Sequence, residues 1–262
     1  MSTGVVQDAP AHAADPPAAV QAPAGFVDIH CHLIHGLDDG PKSEHESMLL
    51  ARAAIRGGTA AITATPHRSF RYALDSDLAR RHLETLESKL GDDLFLFSGC
   101  ELEISDEGLR AFFADPQRYT LNQGRYALVE LRIETPVGRL PQVRDQFLRA
   151  GVTPILAHPE RYGFAHEKTE VLAEWVAGGG LMQATGESFS GRMGRRPRAT
   201  VFRLLDAGLL HFVASDAHDA VKRPPDLRQA WQTVAQRAGE DTARALFIHN
   251  GLHVLRNEPI TR

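Results

Sequence analysis

After residue 25 the chain alternates short apolar runs with longer segments of mixed polarity. The runs are FVDIH (26–30), AAITAT (60–65), LFLFSG (94–99), YALVEL (126–131), VTPILA (152–157), GLMQA (180–184) and HFVAS (211–215). Most are bounded by Gly, Pro or polar residues, which predicts strands buried on both faces of a parallel sheet. The segments between them carry helical spacing. SEHESMLLARAAIRGG opens with Ser43, places Glu46 three residues on as a capping box, and stops at Gly57 and Gly58. SDLARRHLETLESKLG, RLPQVRDQFLRAG, HEKTEVLAEWVAGGG and RPRATVFRLLDAG read as further helices, and 226–250 as two more. Strand–helix repeats with right-handed crossovers build a parallel α/β fold, and seven of them could close into a barrel. No sequence repeat accompanies the structural one.

Length and composition narrow this picture. A chain of 262 residues accommodates one α/β barrel domain, read here as 25–262. Residues 1–24 are rich in Ala and Pro and read as a disordered extension. They lack the basic and apolar regions of a secretory signal. With 43% hydrophobic and 24% charged residues, the chain has ordinary globular composition. No run is long and apolar enough for a membrane helix. The net charge of −4 and the lack of a long basic block argue against a nucleic-acid partner. Cys31 and Cys100 are too few for a disulfide framework, consistent with a reducing, cytoplasmic setting. Neither precedes the Gly-rich, Arg-ending loop that a phosphate-attacking thiolate needs, so both read as small buried hydrophobes.

The chemistry lies at the strand ends. The stretch FVDIHCHLIHGLDDGP places His30, His32 and Asp39 after the first strand. His67 follows the second in TATPHR, and Glu101 the third in SGCELE. Glu130 ends the fourth and His158 the fifth, while Asp216 and His218 follow the seventh in ASDAHD. In a barrel all these ends face one way, and that face carries the site. Such a mixture of imidazoles and carboxylates suits Zn, Mn or Fe. Nine ligands exceed the needs of one ion and predict two or three divalent ions, joined by a bridging carboxylate. Paired ions activate water and clamp both oxygens of a displacement, which predicts hydrolysis, most naturally of a phosphate ester. Arg161, Arg192 and Arg223 lie in loops at the same end and suit an anionic substrate. His12, His35, His45, His82, His166, His211, His249 and His253 read as ordinary surface or core histidines.

DIHCH, TPH, AHPERY and SDAH together resemble the PHP (polymerase and histidinol phosphatase) family of metal-dependent phosphoesterases. DIHCHLIHGLDDGPKS, ATPHR, AHPERY, GRMG and SDAHD resemble its branch of bacterial capsule and exopolysaccharide tyrosine-protein phosphatases. The resemblance spans 26 to about 250. It implies a distorted (β/α)7 barrel of the PHP type, similar to a TIM barrel, and up to three divalent ions, commonly Mn2+. It implies His30, His32, Asp39, His67, Glu101, Glu130, His158, Asp216 and His218 as ligands, with Arg161 and Arg192 on the phosphate. Typical partners are membrane-anchored bacterial tyrosine kinases with a tyrosine-rich tail. The chain departs from the branch at Arg68, where a second His is usual, and in LRIETPVGRLP after Glu130. Both stretches border the expected substrate groove.

The expected reaction is direct hydrolysis of phosphotyrosine by a metal-activated hydroxide, without a phosphoenzyme. Asp216 is a candidate proton donor and, more simply, a ligand. The rival readings are a histidinol-phosphate type phosphatase, an amidohydrolase and a non-catalytic module in a kinase complex. The amidohydrolase class usually carries a bridging Lys on a middle strand; this chain has Glu130 there. The oligomeric state is left open.

Overall fold

The computed structural model describes residues 25–132 and 135–260. The expected extension 1–24 lies outside the described residues, as do positions 133 and 134 of the stretch after Glu130. All seven predicted strands form, and two of them are followed by a short further strand beyond the predicted run. β1 is Phe26–Cys31. The second run becomes β2, Thr59–Ala64, and beyond it lies β3, His67–Arg68. The third becomes β4, Phe95–Ser98, and beyond it lies β5, Glu101–Ile104. β6 is Tyr126–Leu131, β7 Thr153–Ala157, β8 Leu181–Thr185 and β9 Phe212–Ala214.

Every pairing is parallel. One sheet runs β1-β2-β4 and the other β3-β5-β6-β7-β8-β9. The break falls at Pro66 and Gly99–Cys100, where the second and third strands step from one sheet to the other. Proline cannot donate to the ladder, so pairing is interrupted there. Beyond β9 the chain returns to β1. The Asp216 amide donates to the His30 carbonyl at 2.8 Å, and the His32 amide donates to the Ala217 carbonyl at 2.9 Å.

Helices follow most of the strands. α1 is Glu44–Arg56, α2 Ser76–Leu90, α3 Asp106–Ala114, α4 Leu140–Arg149, α5 Thr169–Ala177, α6 Gly186–Ser190, α7 Arg195–Asp206 and α8 Arg228–Ala238. The capping box forms in altered shape. The Ser43 hydroxyl accepts from the Glu46 amide at 3.3 Å, while the Glu46 carboxylate accepts from Lys42 rather than from Ser43. Helices α3 and α6 had no counterpart in the apolar pattern; both are short. One apolar cluster joins Val27, Leu128, Ile155, Leu181 and Phe212 to Leu252 and Leu255 of the last helical turn, Asn250–Leu255. A larger cluster lies between sheet and helices and includes Trp175, Phe112 and Phe147. This double-sided burial leaves the strand ends as the place where polar side chains gather.

The start of α3 is tightly fitted. The Ser105 hydroxyl accepts from the Gly108 amide at 3.0 Å, and a Cβ on Gly108 would stand 2.4 Å from the Glu103 carbonyl of β5. A backbone atom cannot swing aside as a side chain does, so Gly108→Ala must push β5. Such overpacking costs about 1–3 kcal/mol. The expected result is a Tm several degrees lower by circular dichroism; an unchanged Tm would contradict the fit.

Candidate metal centre

The ends of β1, β6, β7 and β9 and the starts of β3 and β5 bring the nine predicted residues together around Glu101. Its carboxylate is completely buried. Oε2 lies 3.1 Å from His30 Nε2, 3.2 Å from His32 Nε2 and 3.1 Å from His67 Nδ1. Oε1 meets His158 Nε2 at 2.8 Å. Glu130 Oε1 is 3.0 Å from His67 Nδ1. Asp39 Oδ1 is 3.4 Å from His218 Nε2 and 3.6 Å from His67 Nε2. Asp216 Oδ1 is 3.5 Å from His30 Nε2 and 3.6 Å from His32 Nε2.

Three groups of donor atoms converge closely enough to hold a cation. They are His32, Asp39, His67 and His218; His30, His32 and Glu101; and His67, Glu101 and Glu130. His32, His67 and Glu101 each belong to two of them, so they stand between neighbouring positions. His158 and Asp216 reach the cluster through Glu101 and through the His30–His32 pair.

Two observations test whether cations fit here. First, Glu101 Oε2 and His67 Nδ1 are buried and have no hydrogen-bond partner, although nitrogens and oxygens crowd them. Buried polar atoms normally pair, and an ion is one explanation when they do not. Second, three of the histidines are already oriented. His30 Nδ1 bonds Gln183 Oε1 at 2.8 Å, His32 Nδ1 bonds Asp38 Oδ2 at 2.7 Å, and His218 Nδ1 bonds the Asp216 carbonyl at 3.0 Å. With Nδ1 donating in each case, all three turn a lone pair on Nε2 toward the cluster, as metal ligands do. The donor set fits divalent ions.

The electrostatics agree. Burial works to lower the pKa of His30 and His32, yet the carboxylates around them dominate and raise both, His32 strongly. Burial works to raise the Asp216 and Glu101 carboxyls, yet neighbouring imidazoles, joined at Asp216 by Arg223 and Arg161, hold both well below the usual range. A field that favours a proton on these imidazoles also favours a cation among them. Asp38 is opposed by burial too, but His32 and two backbone amides hold it down to about 2.

The backbone is strained at two of these residues. His158 has φ 34° and Asp216 φ 52°, both left-handed. Non-glycine residues pay about 1–2 kcal/mol for that conformation, and such strain gathers at functional sites.

The three arginines differ. Arg161 Nη1 lies 2.6 Å and Arg223 Nη2 2.7 Å from Asp216 Oδ2, so both guanidiniums stand at the edge of the cluster. Arg192 is instead held 3.1 Å from Glu187 and donates to the Lys222 carbonyl. His35 stays outside the cluster and stacks on His82, with ring centroids 3.9 Å apart.

Several supporting residues escaped the sequence reading. Asp38 also accepts from the His67 amide at 3.0 Å and the Gly40 amide at 2.9 Å. Gly40 is required there, because a Cβ would lie 2.6 Å from the His32 carbonyl. Glu160, buried, accepts from Thr185 and Ser188 and so ties the Arg161 turn to α6. The available signals were the doubled Asp in DDG and the lone polar Gln183 inside an apolar strand. Asp38→Asn keeps the shape and removes the charge behind His32. Metal affinity is expected to fall about 10–100-fold, the usual effect of losing an orienting partner. Competition with a metal-sensing dye checks it; unchanged affinity would refute the orienting role.

A parallel α/β frame with a histidine–carboxylate cluster at its strand ends defines a metal-dependent hydrolase. The chain belongs to the CpsB/CapC family of capsular polysaccharide synthesis, whose pattern it matches over residues 26–256. It is 32% identical to the tyrosine-protein phosphatase YwqE of Bacillus subtilis (strain 168), covering 90% of this chain and 94% of that one. It is 29% identical to the tyrosine-protein phosphatase CpsB of Streptococcus pneumoniae, covering 90% and 100%. A solved structure from work on YwqE and CpsB, described as metal-dependent tyrosine phosphatases, matches with a TM-score of 0.83 at 32% identity. It covers 90% of this chain and 96% of the other. A phosphotriesterase homology protein from Escherichia coli, 14% identical, shares the fold with a TM-score of 0.58 over 89% of this chain and 99% of that one.

Proposed function

We propose that this protein is a metal-dependent protein-tyrosine phosphatase acting in capsule or exopolysaccharide synthesis. The observation that carries the reading is the cluster around Glu101 with Arg161 and Arg223 at its edge, a cation centre beside an anion grip. His30, His32, Asp39, His67, Glu101, Glu130, His158, Asp216 and His218 would hold two or three divalent ions, Mn2+ in preference to Fe or Zn. Bound ions would supply an activated water and positive charge at the phosphoryl group.

The chain's own side chains do the rest. Arg161 and Arg223 bind phosphoryl oxygens and answer the charge that shifts during displacement. Asp216 stays ionised between them and sets their positions, so it serves as ligand and anchor rather than proton donor. Asp38 and Gln183 fix the imidazoles. The phenolic leaving group has a pKa of about 10, so it departs with little protonation. Arg192 is an outer contact for the substrate. The hydrogen bonds from the end of β9 back to β1 support a distorted (β/α)7 barrel, one domain over 25–262. In this reading the protein works in the cytoplasm on the tyrosine-rich tail of a membrane-anchored bacterial tyrosine kinase. No helix among the described residues is long and apolar enough to cross a membrane.

Steady-state hydrolysis of a phosphotyrosine peptide, with Mn2+, with chelator and with His32→Ala, tests this directly. The expected result is metal-dependent activity, selective over a phosphoserine peptide and histidinol phosphate, and lost in the variant. Activity on histidinol phosphate alone would move the function to a small-molecule phosphatase. No activity on any substrate, with metal bound, would refute the reading.

A further inference from the structure

Five arginines fall within residues 192–203, a stretch with no carboxylate, in a chain of net charge −4. Arg192 is partnered by Glu187, as described. Three of the others lie at the start of α7, and Arg203 stands in its last turn. Arg195, Arg196 and Arg198 occupy its first turn and are exposed, and that turn holds no acidic residue. The N-cap is Gly194, which offers no side-chain cap. Three positive charges at the positive end of a helix dipole destabilise it. Helix starts ordinarily carry Asp or Glu instead. A local rule broken without an internal remedy points to function.

The remedy is absent from the described residues. Arg198 donates to the Phe189 carbonyl and packs over the Phe202 ring. Arg203 donates to the carbonyls of Ala165 and His166 and to the Thr200 hydroxyl. These contacts place the guanidiniums and leave their charge uncompensated. A pocket of about 180 Å³ lies between α7 and the turn Gly163–His166, lined by His166, Glu167, Arg196, Ala199, Thr200 and Arg203. It suits a single anionic group with its waters and is smaller than a cofactor site. Glu167 is the one carboxylate on its wall. The surface adjoins the proposed active site, because α7 packs against both Pro159–Arg161 and Gly163–His166.

We propose that α7 and the 163–166 turn form a docking surface for an acidic segment of the phosphotyrosine polypeptide, with one of its anionic groups seated at Arg196 and Arg203. The proposal rests on the phosphatase reading and adds a substrate preference to it: acidic residues near the phosphotyrosine. Exposed guanidiniums beside the site raise the encounter rate of an anionic chain and grip its carboxylates in pairs of hydrogen bonds.

The test is the double variant Arg195→Glu/Arg196→Glu. Acidic side chains at a helix start favour the helix, so the melting temperature is expected to hold or rise. With a phosphotyrosine peptide flanked by Asp and Glu, kcat/KM is expected to fall about tenfold, mainly through KM. With a neutral-flanked peptide or p-nitrophenyl phosphate, the change is expected to stay within about twofold, because neither offers charges to the patch. The wild-type advantage on the acidic peptide should shrink as salt is raised. Equal wild-type kcat/KM on acidic and neutral peptides would overturn the proposal, as would an unaffected double variant. Sedimentation with phosphatidylglycerol vesicles, lost in the variant while peptide kinetics stay the same, would overturn it in favour of a lipid surface. If every phosphate substrate is inert, the phosphatase reading fails. Fluorescence anisotropy of a labelled acidic peptide then decides docking separately: weaker binding by the variant supports the surface, and equal binding overturns it.

Discussion

Replacing Glu101 with glutamine is expected to cost more than any other single change. The substitution keeps the side chain's size and removes one negative charge from a completely buried position. Oε2 is approached by three imidazole nitrogens within 3.2 Å, and Oε1 by a fourth at 2.8 Å. Glu101 is also shared by two of the three donor groups. A glutamine amide would turn an N–H toward ring nitrogens meant for a cation, so neighbouring ion positions weaken together. The expected outcome is fewer bound ions per chain by elemental analysis. Phosphotyrosine hydrolysis should fall on the order of a thousandfold, equivalent to about 4 kcal/mol of barrier. Near-normal ion content and turnover in Glu101→Gln would remove Glu101 from the centre and with it the proposed bridging arrangement.

The second large effect is expected at Arg161, and it should look different. Arg161 is a third exposed, is held 2.6 Å from Asp216 and belongs to none of the donor groups. Arg161→Met keeps much of the apolar stem and deletes the guanidinium. Ion content should therefore hold while kcat/KM falls about 10²–10³-fold, the usual effect of losing one donor aimed at developing charge. Arg161→Lys restores charge without the paired geometry and should recover only part of the loss. Because Arg223 shares the same Asp216 oxygen, Arg161→Met/Arg223→Met should be less harmful than the sum of the single changes. Loss of metal in Arg161→Met would show that the residue holds the centre together instead of gripping substrate. Glu101→Gln and Arg161→Met thus separate the cation centre from the anion grip: one loses ions and turnover, the other turnover alone.

Much of the frame was legible in the sequence. Seven apolar runs became parallel strands with ends within one or two residues of expectation, because strands buried on both faces must be apolar along their whole length. Breaks in the second and third strands were harder to see. Pro66 and Gly99 read as strand boundaries, yet pairing resumes beyond them at His67–Arg68 and Glu101–Ile104. That resumption depends on β3 and β5 finding each other, a long-range event that local composition does not encode. Helix α6 was missed because five residues are too few to show a period.

The candidate ligands could be nominated from the sequence alone. Imidazoles and carboxylates at successive strand ends have one common reason to be there, since a parallel sheet brings those ends to one side. Which atoms meet was decided only by the tertiary structure. Asp38 and Asp39 are neighbours in DDG, yet Asp38 turns inward to orient His32 and Asp39 faces His67 and His218. Gln183, far from His30 in the chain, fixes its ring. Arg223 joins Arg161 on Asp216, while Arg192 is drawn to Glu187. Side-chain type follows from the chemistry a site needs and can be read residue by residue. Side-chain direction follows from packing and hydrogen bonds between segments distant in sequence, and these come into being only when the chain folds.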